Sequence, residues 1–401
     1  MRVTNATIRA VNGLTARWAG QASGGTVFSA AGVWPLLAFL ADGAGGAARA
    51  ELAEAVGLPA GEAAGAGREL LGALGGMRGV DAALGLWTGR TLPVREEWAA
   101  GLPADTFGVL SGDVAADKAA LDAWASKRTG GLIERMPVPL DEETLLVLAS
   151  ALALRTEWLR PFEPEQLWPA SGPWKDRRLA GLWRTTSLLD RIGVADTPEG
   201  AVTELKVLGT TGVDIHLLLG EERMSAGQVL ATGVDILERR RRAIPGDQLP
   251  YGEAGPGLDV RQVRRHRPTP PSLTVTTVAF DFSAEHDLLE QPRLFGLGTA
   301  TDDSRGHFPG VSAEPLAVGS ARQAATTAFN EKGFRAAAVT AIAGIAGAAP
   351  AERPAPRYVT TEIDAVFDRP FGFLALHRTS RLVLAAGWVT DPKPYREDEY
   401  E

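Results

Sequence analysis

The residues able to do chemistry are few and scattered. The five histidines, His216, His266, His286, His307 and His377, share no metal-ligand spacing, and each reads as a strand or surface residue rather than a catalytic base. The chain has no G-x-S-x-G nucleophile elbow, no G-x-x-x-x-G-K-[ST] phosphate loop and no H-E-x-x-H zinc helix. It has no cysteine, which removes disulfides, thiolate nucleophiles, zinc–thiolate sites and iron–sulfur clusters together. Gly296-Leu297-Gly298 lacks a third glycine and a preceding strand and reads as a turn, and Glu142–Glu143 reads as a solvated pair. Trp18, Trp34, Trp87, Trp98, Trp124, Trp158 and Trp388 sit in apolar or helical contexts, where a core role is the default and a cofactor cage the sharper alternative. No catalytic residue, metal or cofactor is expected from these patterns.

Charge narrows the partners. The net charge is -8, so the electrostatic pull toward phosphate backbones is missing overall and no nucleic-acid partner is expected. One basic stretch stands apart: Arg239, Arg240, Arg241 and Arg242, with Arg261, Arg264, Arg265 and Arg267 beyond it. It reads as a solvated loop, with a polyanion site as the alternative, and no aromatics interleave it to stack bases. The first twenty residues have no signal-peptide core, and no run approaches the ~20 apolar residues that span a bilayer. The expectation is a protein without a membrane partner, cytoplasmic if unprocessed, although secretion by another route stays open.

The elements that would position any site come in two styles. Residues 28–41 form a buried apolar segment with Ser29 as its N-cap and glycines 43, 45 and 46 at its end, and residues 48–56 form a helix closed by Gly57. A helix from 119 stops at Gly130–Gly131, after which strands take over. The apolar run 145–154 has the length of a central strand, 202–208 and 213–220 read as a hairpin, 274–282 reads as one strand, and 365–377 and 381–392 read as two more. Residues 238–272 are full of Arg, Pro and Gly and read as a loop-rich connection. Helices first and mixed strands later indicate an α+β fold, and the last strands need distant partners, so 1–401 is expected to be a single domain and a monomer.

One segment is of another kind. Residues 333–359 are small and proline-punctuated, G-F-R-A-A-A-V-T-A-I-A-G-I-A-G at their start. As a strand, one face carries Phe334, Ala336, Ala338, Thr340 and Ile342 and the other Arg335, Ala337, Val339, Ala341 and Ala343. Such a segment can lie extended in water, yet could also slide between two strands, with Gly333 as a pivot. A flexible Ala/Gly linker is the plainer alternative.

The pattern Glu331-Lys332-Gly333 followed by Ala336-Ala337-Ala338-Val339-Thr340 resembles the hinge of the serpins, the serine protease inhibitors, and the chain resembles a bacterial-type member. Other segments resemble that family in the family's order: 27–58, 83–98, 121–136, 145–162 with Trp158 and Phe162 in step, 367–377 and 387–392. The resemblance implies the serpin fold, with three β-sheets, about nine helices and an exposed reactive-centre loop near 333–363. It implies suicide inhibition: a serine protease cuts the loop, becomes acylated, and is dragged away as the loop inserts into the main sheet. The family's spacing from Glu331 places the cut between Gly347 and Ala348, small residues that favour an elastase- or subtilisin-like target. Counting back from Phe367 points to Arg357–Tyr358 and a trypsin-like target, while Arg353 precedes Pro354 and makes a poor site.

The sequence departs from the family pattern in places. Phe334 occupies the position of a modest residue, so its bulk is expected to slow insertion. Gly25, Gln323 and Ser150 replace the polar residues usual under the sheet, where only Ser29 matches, so the network gripping the central strands is expected to be thin and to leave room for Phe334 near Gly25. The alternatives to inhibition are a non-inhibitory binding scaffold and a serpin fold recruited to small-molecule biosynthetic chemistry.

Overall fold

The computed structural model describes residues 3–103, 106–141, 144–302, 304–334 and 357–396. Eight α-helices lie among them: α1 (Asn5–Ala19), α2 (Ala30–Gly43), α3 (Gly46–Val56), α4 (Ala60–Gly75), α5 (Glu96–Ala100), α6 (Val114–Arg128), α7 (Ala226–Leu237) and α8 (Pro292–Phe295). The expectation was about nine; several short turns among the described residues wind as 3-10 helix instead.

The first ten strands are β1 (Thr26–Phe28), β2 (Val80–Gly89), β3 (Phe107–Leu110), β4 (Leu146–Leu154), β5 (Thr156–Glu157), β6 (Glu163–Leu167), β7 (Leu179–Thr186), β8 (Ile192–Thr197), β9 (Gly200–Val207) and β10 (Val213–Gly220). The second ten are β11 (Ile244–Pro245), β12 (Gly252–Gly255), β13 (Leu258–Arg265), β14 (Ser272–Val278), β15 (Phe280–Asp287), β16 (Ser320–Phe329), β17 (Gly333–Phe334), β18 (Tyr358–Val366), β19 (Phe371–His377) and β20 (Val383–Val389).

They form three sheets. Sheet A runs β3-β2-β4-β16-β17-β5, with β15 also paired to β16; sheet B runs β1-β20-β19-β10-β9-β8-β11; sheet C runs β12-β13-β18-β14-β7-β6. Local chemistry accounts for the helix ends. The Ser29 hydroxyl accepts from the Gly32 amide at the start of α2, and Gly57, at φ +73°, closes α3 in the left-handed region that favours glycine. Residues Ala30 to Ala41 of α2 are buried throughout, because the helix packs against α1, α3 and α4 on one side and strands of sheets A and B on the other. The hairpin expected from 202–208 and 213–220 is the β9–β10 pair.

Two expectations are corrected. The stretch 238–272 is not a mere connection, because β13 runs through its second half and pairs with β18. Only Leu258 and Val260 on β13 are buried, and two of its arginines are matched across the strands, Arg265 with Glu362 and Arg261 with Asp364. Earlier in the stretch, Arg240 pairs with Asp235 and Glu238. The run 274–282 is not one strand either. It breaks at Ala279, whose amide donates to Ala180 and whose carbonyl accepts from Lys393, so that β14 lies in sheet C and β15 in sheet A.

Candidate functional site

The site lies where sheet A divides. Strands β4 and β16 pair in parallel from Ser320↔Val147 up to Ala325↔Leu152 and then part. Beyond the parting, β5 continues the line of β4, and Gly333–Phe334 fill the gap, pairing antiparallel with Phe329 on one side and with Glu157 and Thr156 on the other.

A tight turn delivers the chain into that gap. The Asn330 side-chain oxygen accepts from the amides of Lys332 (3.0 Å) and Gly333 (2.9 Å), and the Asn330 amide donates to the Gly333 carbonyl (3.0 Å). The segment after β5 clamps the outer side of the turn. Trp158 Nε1 donates to the Asn330 carbonyl, the Phe162 amide to Glu331 and the Trp158 amide to Lys332, each at 2.8 Å. Three successive carbonyls before the hinge glycine are thus held. Gly333 itself admits no side chain, since a Cβ there would lie 2.4 Å from the Thr156 carbonyl oxygen.

Phe334 is 2% exposed. Its ring meets Phe373 of β19 with centroids 6.0 Å apart and joins a chain of rings in which Phe373 stacks on Phe280 and Phe280 on Phe329. Trp158 completes the cluster against Phe329 at 4.9 Å. Within the span 333–363 expected as the reactive loop, Gly333 and Phe334 belong to sheet A and the residues from Tyr358 to sheet C. Ala336, Ala337, Ala338 and Thr340, and the candidate cut at Gly347–Ala348, lie outside the described residues. The alternative cut falls at the start of β18, an interior strand of sheet C, where the Arg357 amide donates to Arg265 and Tyr358 opens the strand.

Below the parting, a polar knot joins β4, β16 and α2. Gln323 Oε1 accepts from the Ser29 amide (2.8 Å), while its Nε2 donates to the Ser29 carbonyl (2.9 Å) and to Ser150 Oγ (3.1 Å). The Ser29 hydroxyl donates to the Leu384 carbonyl at 2.6 Å. All three side chains are buried, and the network expected to be thin is closed. A single glutamine reaches both faces of the α2 cap, which is how it serves in place of a larger polar set. Gly25 takes no part. It is exposed ahead of β1, and a Cβ there would meet Thr390, so the room for Phe334 comes from Phe329 and Phe373 instead.

The histidines hold structure. His216 Nδ1 donates to the buried Glu204 carboxylate (2.7 Å), and His286 Nε2 donates to the Val27 carbonyl (2.8 Å). Burial raises the Glu204 carboxyl, but His216, Lys206 and Arg381 together bring it below its ordinary value. Burial also lowers the His286 imidazole, with the Val27 bond opposing. Among the described residues no group of His, Asp and Glu could hold a metal ion, and no helix is long and apolar enough to cross a membrane.

The serpin family model, described as serine protease inhibitor, matches residues 5–170 and 261–392. The chain belongs to the serpin family. It is 28% identical over 413 residues to a rice protein, "Putative serpin-Z6C", covering 92% of this chain and 91% of that one. It is 26% identical over 275 residues to "Serine proteinase inhibitor 1" of Myxoma virus, covering 68% of this chain and 64% of the viral one. The structure of native protease nexin-1 with heparin superposes with a TM-score of 0.73 at 16% identity, covering 97% of this chain and all (100%) of that one. These relatives carry the family and the fold; the bacterial type expected from the sequence is not something they show. Serpins are for the most part protease inhibitors rather than enzymes.

Proposed function

We propose that this serpin is a suicide inhibitor of serine proteases, in which cleavage of the loop between β17 and β18 lets its N-terminal part enter sheet A as a new central strand. One observation carries the reading: Gly333 and Phe334 already occupy the gap between β5 and β16 in the antiparallel sense that an inserted strand requires. Continuing that register, Ala336 would meet Thr327, Ala338 would meet Ala325 and Thr340 would meet Gln323. Small side chains on that face fit between close-packed strands without overpacking.

Insertion must then break the bond between Gln323 Nε2 and Ser150 Oγ, the side-chain link across β16 and β4. The new strand would return ladder hydrogen bonds to both neighbours, which is where the driving force lies. Phe334 does not slow this step as its bulk suggested, because its ring is housed before cleavage begins.

We place the cut at Gly347–Ala348 and the target among elastase- or subtilisin-like proteases. A bond in a paired strand is poorly presented to a protease cleft, and Arg357–Tyr358 adjoins such a strand. The test is incubation with pancreatic elastase, subtilisin and trypsin, followed by denaturing electrophoresis. A covalent complex stable in SDS with elastase or subtilisin is expected, and its acylated residue read by mass spectrometry should be Gly347. Clipping by all three without any complex would count against inhibition.

A further inference from the structure

A second cavity lies apart from the hinge gap, where the three sheets meet. It encloses about 140 Å³ and is lined by Leu159 and Arg160 after β5, Arg184 and Thr186 at the end of β7, Leu188 and Arg191 before β8, and Lys206 and Leu208 at the end of β9. Four cations therefore face one small space from four segments.

Their own carboxylates do not balance them. Arg191 reaches Asp190 at 3.1 Å on the exposed side, and Lys206 reaches Glu204 only at 3.8 Å, where His216 already binds that carboxylate. Arg160 donates to the Thr186 hydroxyl (3.2 Å) and Arg184 to the Arg160 carbonyl (2.8 Å), both neutral acceptors. Arg184 also lies over the Phe162 ring, 4.2 Å from its centroid, and its Nε is buried with no hydrogen-bond partner. A half-buried guanidinium whose buried Nε has no partner and whose neighbours are cations is an unfavourable arrangement unless an anion completes it. Burial, then Arg160 and Arg191, pull the Arg184 pKa down to about 10.

Apart from Thr186, the rest of the lining is apolar. Leu159 is 54% and Leu188 is 42% exposed at the mouth, which is unusual for leucine beside a charged pocket. From these features we propose that the cavity binds a small amphiphilic anion, its oxyanion head among Arg160, Arg184, Arg191 and Lys206 and its apolar body across Leu159 and Leu188. The cavity is too small for the whole ligand, so the head enters and the body lies along the rim.

Decanoate, decyl sulfate, inorganic sulfate and decanol separate the contributions in isothermal titration with the intact protein. Decanoate and decyl sulfate are expected to bind with one-to-one stoichiometry, and decanol and sulfate at least tenfold more weakly. Arg184→Met should weaken decanoate tenfold or more. Arg191→Glu, at a partly exposed position, should do the same and guards against a folding defect in the first variant. Decanol binding as tightly as decanoate, or decanoate binding unchanged in Arg191→Glu, would overturn the proposal. Sulfate binding as tightly as decyl sulfate would overturn the assigned role of the leucines.

Discussion

The ring of Phe334 stands edge-on to the ring of Phe373, with centroids 6.0 Å apart and planes 61° from parallel. This contact ties Gly333–Phe334 of sheet A to sheet B through the β19 ring. Residues 330–334 form a short hairpin with its turn held and the Phe334 ring seated.

Replacing the anchor should free the hinge. Phe334→Glu would put a charge among Phe373, Phe329 and Phe280, where no partner exists to offset its desolvation. The hinge is expected to leave the sheet rather than bury the carboxylate. Limited proteolysis near residue 334 should accelerate at least tenfold in this variant, and the melting temperature should fall. Unchanged proteolysis would place the anchor elsewhere.

Gly333→Ala tests the close approach to β5. The added methyl lies 2.4 Å from the Thr156 carbonyl oxygen, backbone against backbone, so the strands must part. Overpacking of this kind costs about 1–3 kcal/mol. The loss should appear in the urea midpoint with little change in slope, and hydrogen exchange at the Gly333 and Phe334 amides should rise.

Gln323 should govern how readily the sheet opens. Gln323→Ala removes three hydrogen bonds from a buried knot and leaves the Ser29 amide and carbonyl without that partner. Each buried polar group left unmet costs about 1–3 kcal/mol. Ser150→Ala is milder, removing only the link across the central strands. Native stability should fall strongly in the first variant and slightly in the second, while Ser150→Ala speeds insertion after cleavage. Slower insertion in Ser150→Ala would contradict the role given to that bond.

Acid should weaken the native fold in two stages. The His286 imidazole is held below its ordinary 6.5 by burial, so the stability it contributes is complete above that pH and declines as pH falls through its folded value. Glu204, held below its ordinary 4.5, contributes stability that is complete above that pH and is lost below it as the carboxylate protonates in the folded state. Denaturation midpoints between pH 7 and 3 should show both declines, and Glu204→Gln should flatten the lower one selectively.

Some of this could be read directly from residue types, and some could not. Ser29 as a cap, Gly57 as a stop and the β9–β10 hairpin depend on local chemistry, so their residues suffice. The seat of Phe334 depends on Phe329 and on Phe373 in a different sheet, and no local pattern conveys that pairing. Gln323 looked like a loss of polar grip because one residue's reach is invisible until its partners' positions are known. The break at Ala279 carries neither Gly nor Pro, and β13 conceals its strand character behind arginines whose partners lie on β18.

The melting temperature after loop cleavage tests the central claim most directly. The native protein and the protein nicked once by a limiting amount of protease in the loop are compared in the same scan. If the loop enters sheet A between β4 and β16, the nicked protein gains a complete set of strand hydrogen bonds and should melt about 10 °C or more above the native form, at roughly 2 °C for each kcal/mol gained in a chain of this size. An equal or lower melting temperature, with the loop demonstrably cut, would mean that sheet A does not accept the strand and that this serpin does not inhibit by insertion.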